Sequence, residues 1–396
     1  MSVGYKRVMA KLFIAFIMPL VLTACGNFGK MPEWLVDDAY KLPPAELVDI
    51  TPEYQPEIVW QKDTGAASKD SYANIAPWLQ GDRIVTVDYK GTVKSFFYKT
   101  GKLAWEIKLD ESVATGVGGE EGIILVGTQD GEVITLDEVT GRFLWRANLS
   151  SELLSPPKIG LGVVVARTAD GRVSGLSSKD GSILWNYQRS VPLLSLRGVS
   201  APILAGDKVV IGYANGKLVA LSIYDGKVIW EKSIAVPRGR TEIDRLVDID
   251  ADPVVKLGRV YVVTYHGNLA GVDLQTGQTL WSREMSSRTG LDVDPGYSIY
   301  VSDESSHVWA IQDGTGDALW RQTSLLRRQI SPPAIVSNAV LVGDLEGYLH
   351  WLAREDGRFI ARIKVADKPI RSKPVVHDNL VFVAANNGSL TALRVE

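Results

Sequence analysis

The fold is decided by the stretch from residue 123 to residue 145, which reads IILVGTQDGEVITLDEVTGRFLW. It opens with a short β-branched run, continues through Asp130-Gly131 into an alternating run, and ends with Thr140-Gly141 and, four residues later, Trp145. Short continuous apolar runs predict strands buried on both faces, and alternating runs predict strands with one polar face. The stretch therefore predicts antiparallel strands joined by tight turns.

The residues that precede Gly131 and Gly141 predict two different turns. Asp-Gly or Asn-Gly between two such runs favours a type I′ hairpin, because Gly adopts the positive φ angles of that turn without steric cost. Thr or Asp before the second Gly marks another turn, since short polar side chains bond to nearby backbone groups.

The same unit recurs along the chain with a period of about 40 residues. The first-turn position is Gly91, Gly131, Gly171, Gly216, Gly267, Ser306, Gly347 and Gly388. The second-turn glycine follows at Gly101, Gly141, Gly181, Gly226, Gly277, Gly316 and Gly357. The tryptophan comes four residues later at Trp105, Trp145, Trp185, Trp230, Trp281 and Trp320, with Ala361 as the one departure.

A period of about 40 residues that contains three to four strands is typical of a propeller blade. The last unit begins at Gly388 and stops at Glu396, before its second turn and tryptophan. Residues 57–60, with the sequence EIVW, supply the missing strand and its Trp60. We therefore predict an all-β fold, an eight-bladed β-propeller of four-stranded blades, closed by the N-terminal strand that completes the last blade.

Seven of the eleven tryptophans fall in this register, counting Trp60. An aromatic side chain at the same place in every repeat is expected on the outer strand of its blade, packed against the adjacent blade. The remaining four are Trp34, Trp78, Trp309 and Trp351. An alternative stays open for two of them, in which Trp78 or Trp351 lines a surface groove.

The N-terminus has the pattern of a targeting segment. Lys6, Arg7 and Lys11 precede an apolar stretch over residues 12–22, and this length suits a signal peptide, whereas a membrane-spanning helix needs roughly 20 apolar residues. The sequence LTACG at residues 22–26 resembles the lipobox of bacterial lipoproteins, in which the cysteine is acylated.

This resemblance implies lipidation at Cys25, and Gly26 in the next position implies sorting to the outer membrane. The alternative is an accidental Cys25 beside an ordinary cleavage site. The predicted organisation is a signal peptide over residues 1–24, a lipid-anchored cysteine and proline-containing tether over 25–56, and the propeller over 57–396.

Composition excludes several classes of function. A net charge of −3 with 22% charged residues gives no basic surface for nucleic acid. A single Cys excludes an internal disulfide. Asp248, Asp250 and Asp252 begin like a calcium loop, but Pro253 and Arg259 occupy the positions of its glycine and glutamate, so we reject calcium there.

The histidines offer no catalytic pattern either. They lie in different repeats at no ligand spacing and are predicted to be loop or surface residues. The four are His266, His307, His350 and His377. Without a nucleophile motif or phosphate loop, we predict no catalytic residue, no metal site and no cofactor.

Units such as Thr140–Trp145 and Thr276–Trp281 resemble the repeats of quinoprotein dehydrogenases, which are eight-bladed propellers that bind pyrroloquinoline quinone. A periplasmic quinone-dependent dehydrogenase is therefore the alternative function. Those enzymes typically carry an adjacent cysteine pair over the cofactor and a calcium site beside a catalytic Asp, and this chain has only one Cys.

The lipobox, the proline-containing tether and the eight compact blades together resemble the β-propeller lipoproteins of the bacterial β-barrel assembly machinery, the family of outer-membrane protein assembly factor B. The resemblance is most specific at residues 193–198 and 241–250. In that family the matching positions bind periplasmic domains of the central barrel subunit. It implies interface roles for Leu194, Leu196, Arg197, Asp248 and Asp250.

An internal role for the same residues stays open, in which Arg197 pairs with Asp248 or Asp250 as a brace within the loop. The second stretch lies in the longest of the steps between successive tryptophans, from Trp230 to Trp281, and long polar loops are frequent sites of function.

The function that the resemblance implies is that of a non-enzymatic scaffold at the periplasmic face of the outer membrane of a Gram-negative bacterium. It would dock on the barrel subunit and assist the folding and insertion of outer-membrane proteins. Unfolded substrates could add to the outer strand of a blade by β-augmentation. Membrane contact would be through the lipid anchor alone, and no nucleic acid is expected.

Overall fold

The computed structural model describes residues 42–65, 76–189, 200–237, 240, 246–294 and 296–395. Within these ranges the regular elements are 32 β-strands in eight antiparallel sheets of four. The sheets form the blades of an eight-bladed propeller, as predicted. In those ranges no helix has the length and hydropathy needed to cross a bilayer.

The strands are numbered in chain order and grouped here by blade, from the innermost strand outward. Blade one contains β2 (Trp78–Gln80), β3 (Arg83–Val87), β4 (Thr92–Phe97) and β5 (Leu103–Lys108). Blade two contains β6 (Val113–Glu120), β7 (Ile123–Thr128), β8 (Glu132–Asp137) and β9 (Phe143–Asn148). Blade three contains β10 (Lys158–Gly160), β11 (Val163–Arg167), β12 (Arg172–Ser177) and β13 (Ile183–Gln188). Blade four contains β14 (Ile203–Ala205), β15 (Lys208–Gly212), β16 (Lys217–Ser222) and β17 (Val228–Ser233).

The second half of the ring repeats this plan. Blade five contains β18 (Val254–Lys256), β19 (Arg259–Val263), β20 (Gly267–Asp273) and β21 (Thr279–Met285). Blade six contains β22 (Gly290–Asp294), β23 (Ser298–Ser302), β24 (Val308–Gln312) and β25 (Ala318–Gln322). Blade seven contains β26 (Ala334–Val336), β27 (Ala339–Gly343), β28 (Tyr348–Ala353) and β29 (Phe359–Lys364). Blade eight contains β30 (Val375–His377), β31 (Leu380–Ala384), β32 (Ser389–Arg394) and, as its outer strand, β1 (Glu57–Asp63).

The pairing of β1 with β32 closes the ring. The two strands run antiparallel with Trp60 opposite Ala392, and Trp60 packs with Phe96 of blade one and Phe382 of blade eight. The predicted completion of the last blade by residues 57–60 is confirmed. Each four-stranded sheet keeps two edge strands, the innermost one around the centre of the ring and the outermost one at its rim.

The up-and-down order of the strands gives the ring two faces. The turns between the second and third strands and the connections from one blade to the next lie at one end of the strands, which we call the connection face. The turns between the first and second strands and between the third and fourth lie at the other end, the turn face. The second strands are the most buried, and all six residues of β7 are shielded from solvent.

Each outer-strand tryptophan fastens its blade to the next one. The indole of Trp145, for example, lies on Gly181, where an added Cβ would be 2.5 Å from the ring. Its Nε1 donates to the carbonyl oxygen of Ser178 at 2.9 Å. The bond recurs at 2.7–2.9 Å for Trp60, Trp105, Trp185, Trp230 and Trp320. The predicted packing of these tryptophans between blades is confirmed.

Two interfaces depart from this pattern. Between blades five and six, Trp281 contacts Gly316 less closely, at 3.1 Å, and its Nε1 has no hydrogen-bond partner within the described residues. Blade seven carries Ala361 in place of the tryptophan because blade eight has no turn between its third and fourth strands on which an indole could lie. The third and fourth strands of blade eight, β32 and β1, come from opposite ends of the propeller.

The space left by Ala361 is filled from two sides. Ala361 pairs with Trp351 of β28, whereas Trp145 pairs with the smaller Thr135 in the same register. Trp351 is fully buried, and the ring of Tyr54 meets it edge-on at 6.2 Å. The alternative that Trp351 lines a surface groove is therefore wrong.

Residues 44–56 precede β1 and lie against blade seven. The amide of Ala45 donates to the carbonyl oxygen of Leu326 at 3.0 Å, and the Ala45 carbonyl accepts a bond from Arg328 Nη1 at 2.8 Å. Further along, Glu53 N donates to Ile360 O at 2.8 Å. The segment therefore crosses the outer edge of blade seven from the connection face to the turn face. We call it the strap.

A buried polar network supports the strap and accounts for a wrong prediction. His350 is fully buried rather than exposed, because its Nε2 bonds Asp344 at 3.0 Å and its Nδ1 accepts from Arg362 Nε at 3.1 Å. Arg328 also bonds Asp344, at 2.8 Å. Arg362 reaches the strap at Val48 O, 2.9 Å away. Burial lowers the pKa of His350.

The first turns also differ from the prediction. A type I′ turn needs positive φ at two residues, but at this turn of blade two only Gly131 has it, and Asp130 does not. The loop has three residues, since Thr128 Oγ1 accepts the amide of Glu132 at 2.9 Å and spans it. Ser306, which replaces the glycine in blade six, adopts a φ of 69°. In blade five the positive φ falls on His266 instead of Gly267.

Substitution of Gly181 tests the contact between blades. Gly181→Ala places a methyl group 2.5 Å from the Trp145 ring at a φ of +74°, so we expect a loss of about 2–4 kcal/mol in the free energy of unfolding. Gly122 is the matched control, because it has a φ of +81° and open space around its Cβ position. Gly122→Ala should cost only about 1 kcal/mol. Urea denaturation of the full chain measures both, and equal losses would contradict the proposed contact.

Candidate functional site

Two connections between blades carry the residues that the sequence singled out. One joins β13 to β14 between blades three and four, and the other joins β17 to β18 between blades four and five. Leu194, Leu196 and Arg197 belong to the first connection, at residues 190–199, which lie outside the described residues, as does Cys25. Asp248 and Asp250 of the second connection are described.

The end of the second connection is held firmly between blades four and five. Ile249 is buried, and its Cγ2 lies 2.2 Å from where a Cβ on Gly212 would be, so only Gly fits at position 212. The amide of Ile249 donates to Tyr213 O at 3.2 Å, and Tyr265 N donates to Asp248 O at 2.8 Å. These contacts fix the backbone on either side of Asp250.

The two acids have different environments. Asp248 is fully buried, whereas Asp250 is half-buried. Burial and, to a smaller extent, the neighbouring Asp248 raise the pKa of Asp250 to about 7, against the opposing charges of Arg167 and Arg288. Asp250 therefore titrates near neutral pH and is the acid of this pair that reaches solvent.

Arg167 is the buried cation beside these acids, and sequence reasoning missed it. It ends β11, whose other residues form a continuous apolar run, so nothing local marked it as special. Its Nη1 donates to Ser200 O at 2.9 Å and to Gly212 O at 2.8 Å. Its guanidinium carbon lies 5.1 Å from the ring centre of Tyr213. Arg167 thus bonds the end of the first connection and the end of β15, on which Ile249 of the second connection packs.

Several buried atoms of this cluster lack a hydrogen-bond partner within the described residues. They are Arg167 Nε, Ser200 Oγ, Tyr213 Oη and Asp250 Oδ1. Buried polar groups are normally paired, and leaving one unpaired costs about 1–3 kcal/mol. A group of such atoms at the connection face therefore has the capacity to bind polar groups from outside these residues.

A second charged cluster lies along the innermost strands. Asp292 of blade six bonds Lys373 of blade eight at 3.1 Å and lies 3.8 Å from Lys256 of blade five. The Nζ of Lys158 in blade three lies 5.0 Å from the ring centre of Trp78 in blade one. The contacts of Asp292 with Lys373 and of Lys158 with Trp78 link blades that are not neighbours, so they tie the inner ring together. In the described part of the chain, no group of three or more His, Cys, Asp or Glu residues is close enough to hold a metal.

Comparison with known proteins identifies the family. The family model described as "Outer membrane protein assembly factor BamB" matches residues 89–322 and 310–396. A BamB of Pseudomonas aeruginosa is 44% identical over 355 residues, which cover 90% of this chain and 93% of that protein. The chain belongs to the BamB family. The BamB of Escherichia coli K12 is 34% identical over 383 residues, covering 94% of this chain and 96% of that one.

Solved structures agree with the fold. The crystal structure of BamB from Moraxella catarrhalis matches with a TM-score of 0.78 at 27% identity, covering 86% of this chain and 99% of that one. A quinohemoprotein alcohol dehydrogenase from Pseudomonas putida matches with a TM-score of 0.70 at 12% identity, covering 87% of this chain and 76% of that one. The dehydrogenase shares the fold alone, whereas the BamB relatives share the sequence as well.

The raised pKa of Asp250 predicts how stability depends on pH. Between the pKa of about 4 in the unfolded chain and about 7 in the folded one, the folded carboxyl keeps a proton that the unfolded one has lost. Stability from this group is therefore present at low pH and falls as the pH rises towards 7. We expect Asp250→Asn to be more stable than the parent at pH 8 by about 1–3 kcal/mol, and equal to it at pH 4.

Thermal unfolding of both proteins from pH 4 to pH 8 measures this difference. Parallel curves for the parent and Asp250→Asn would show that the Asp250 carboxyl keeps an ordinary pKa. Asp180→Asn is a suitable control, because Asp180 lies in an exposed turn and its pKa is lowered, chiefly by a hydrogen bond from Ser182.

Proposed function

We propose that this protein is a non-enzymatic scaffold in outer-membrane protein assembly, and that it docks on periplasmic domains of the central barrel subunit through the connections beside blade four. The BamB relatives are named as outer-membrane protein assembly factors, which supports the general role. The docking site rests chiefly on the cluster around Arg167, whose buried polar atoms have no partner within the described residues.

The geometry of the two connections suits a protein interface. Both start and end on the connection face, on either side of blade four, so Arg197 and Asp250 belong to neighbouring loops. Leu194 and Leu196 would supply apolar contacts, and Arg197 would supply a guanidinium that can bond a carboxylate in two places. Asp248 is fully buried, so its proposed contribution is to hold the loop, while Asp250 would contact the partner.

We propose further that Cys25 is lipidated and that the protein faces the periplasm. The strap begins at Pro44 near the connection face, where Ala45 bonds Leu326. Residues 25–43 can span at most roughly 65 Å when fully extended. An anchor at Cys25 would therefore keep the start of the strap within that distance of the membrane, where the barrel subunit lies.

The outer strands of the blades are the proposed contact for unfolded outer-membrane proteins. Each outermost strand leaves one row of backbone N–H and C=O groups without a strand partner, and an extended chain can pair with such an edge. A dehydrogenase activity is not proposed, because the likeness to the quinoprotein enzymes is one of fold alone.

Charge reversal at Arg197 tests the docking site. We expect Arg197→Glu to weaken binding to the purified barrel subunit at least tenfold, because a guanidinium that pairs with a carboxylate is replaced by a repelling charge. Lys179→Glu is the control, since Lys179 is an exposed cation on the opposite, turn face. Biolayer interferometry with the periplasmic domains of the barrel subunit measures both. Unchanged affinity in a folded Arg197→Glu protein would remove this residue from the interface.

A further inference from the structure

One outer edge of the propeller is already occupied by an extended segment. The strap crosses β29 of blade seven, where Glu53 N donates to Ile360 O at 2.8 Å. The Glu53 carboxylate also accepts a bond from Arg358, 2.9 Å from Nη2. The strap thus shows how an extended chain is held on an outer strand, by one backbone bond, by one carboxylate–arginine pair and by the bond from Arg362 to Val48 O.

The outer strand of blade two has nearly the same sequence as the strand under the strap. Residues 141–146 read GRFLWR and residues 357–362 read GRFIAR. No other second-turn glycine in the sequence is followed by Arg-Phe. In both strands the second arginine lies over the phenylalanine ring, at 5.6 Å in blade two and 5.1 Å in blade seven.

The edge of blade two is uncovered. Phe143 and Leu144 are 53% and 44% exposed, whereas Ile360, the counterpart of Leu144 in blade seven, is 2% exposed. A β-bulge explains why two consecutive apolar residues both face outward. The pairing with β8 passes from Phe143 directly to Trp145 and leaves Leu144 without a partner residue.

The first arginine of blade two is available for a carboxylate. Arg142 occupies the position of Arg358 and is exposed, and the described residues form no ion pair with it. Asp137 is the acid that feels the charge of Arg142, but its pKa is lowered mainly by hydrogen bonds from Thr140 and only to a smaller extent by Arg142. An incoming carboxylate could therefore bond Arg142 as Glu53 bonds Arg358.

Two details indicate the chemistry of the ligand. The second arginine, Arg146, is already paired with Glu111 at 2.6 Å and with Glu132 at 3.4 Å. The strand therefore lacks the cluster of free cations that an anionic lipid surface requires. In blade seven the small Ala361 leaves space that the strap fills with Tyr54. In blade two Trp145 stands at the position of Ala361, so the ligand needs no aromatic residue corresponding to Tyr54.

We propose that the outer strand of blade two, residues 142–146, is a docking site for an extended polypeptide segment that carries an acidic residue and apolar side chains. The occupant is a segment of an unfolded outer-membrane β-barrel protein, whose strands alternate apolar and polar residues. The identity of that occupant rests on the proposed function. The site itself rests on the likeness to the occupied edge of blade seven.

A synthetic peptide with the sequence of residues 44–53 is the first probe, labelled with fluorescein and added to the full chain. We expect Arg142→Glu to reduce its affinity at least tenfold. A peptide with Glu53→Lys should regain affinity for the Arg142→Glu protein, because the two charges are exchanged. Lys102→Glu is the matched control, since Lys102 is an exposed cation at the Arg142 position in blade one. Equal effects of the two substitutions, or no effect of Arg142→Glu, would overturn the site.

Photocrosslinking with an unfolded outer-membrane β-barrel protein, diluted from urea, identifies the occupant. A benzophenone side chain is introduced at Leu144 and, as control, at Leu319, which has the same position in blade six and is also exposed. We expect crosslinks mainly from position 144, lost in the Arg142→Glu background. Equal yields at the two positions, or crosslinks to a second copy of this chain instead of the added protein, would overturn the proposed occupant.

The same variants separate this proposal from the docking proposal. Arg142→Glu should leave affinity for the barrel subunit unchanged, because Arg142 lies at the turn face of blade two, whereas both docking connections lie on the connection face beside blade four. Arg197→Glu should leave crosslinking at position 144 unchanged. If docking fails while crosslinking persists, the proposed function is wrong and the site on blade two stands.

Discussion

Seven of the eight blades are fastened to a neighbour by an indole ring that lies on a glycine, and the ring architecture depends on this contact. The glycine has no Cβ, so the tryptophan approaches the turn closely enough for its Nε1 to donate to a carbonyl three residues before the glycine, as Trp145 does to Ser178. A positive φ makes the same residue a good turn former. One residue type thus serves both the turn inside a blade and the contact between blades.

The contact also explains where the pattern stops. Blade eight is assembled from the two ends of the propeller, so it offers no third-to-fourth-strand turn to blade seven. In blade seven Ala361 of β29 stands at the tryptophan position, and the indole is supplied by Trp351 of the neighbouring strand β28. The strap covers the outer edge of this blade and packs Tyr54 on Trp351. Arg328 and Arg362, which are held by Asp344 and His350, then donate to two carbonyl oxygens of the strap.

The repeat, its closure and the role of the tryptophans could be predicted from sequence because each depends on residues at fixed, short spacing. His350 could not, because its burial depends on Arg362, Asp344 and a strap more than 290 residues earlier in the chain. Arg167 could not, because it closes an apolar strand and its partners come from two other segments. The first turn was misjudged because the side chain of Thr128 spans a longer loop than Asp130-Gly131 alone indicates.

The connection face and the outer edges give the propeller two kinds of contact surface, one for a folded partner and one for an extended chain. The most direct test of the scaffold account is affinity capture of the lipidated protein from gently solubilised outer membranes, with mass spectrometry of the bound partners and an assay for quinone. The account predicts a barrel protein with periplasmic repeat domains and no quinone. Bound quinone with dye-reducing activity, and no such barrel partner, would contradict it.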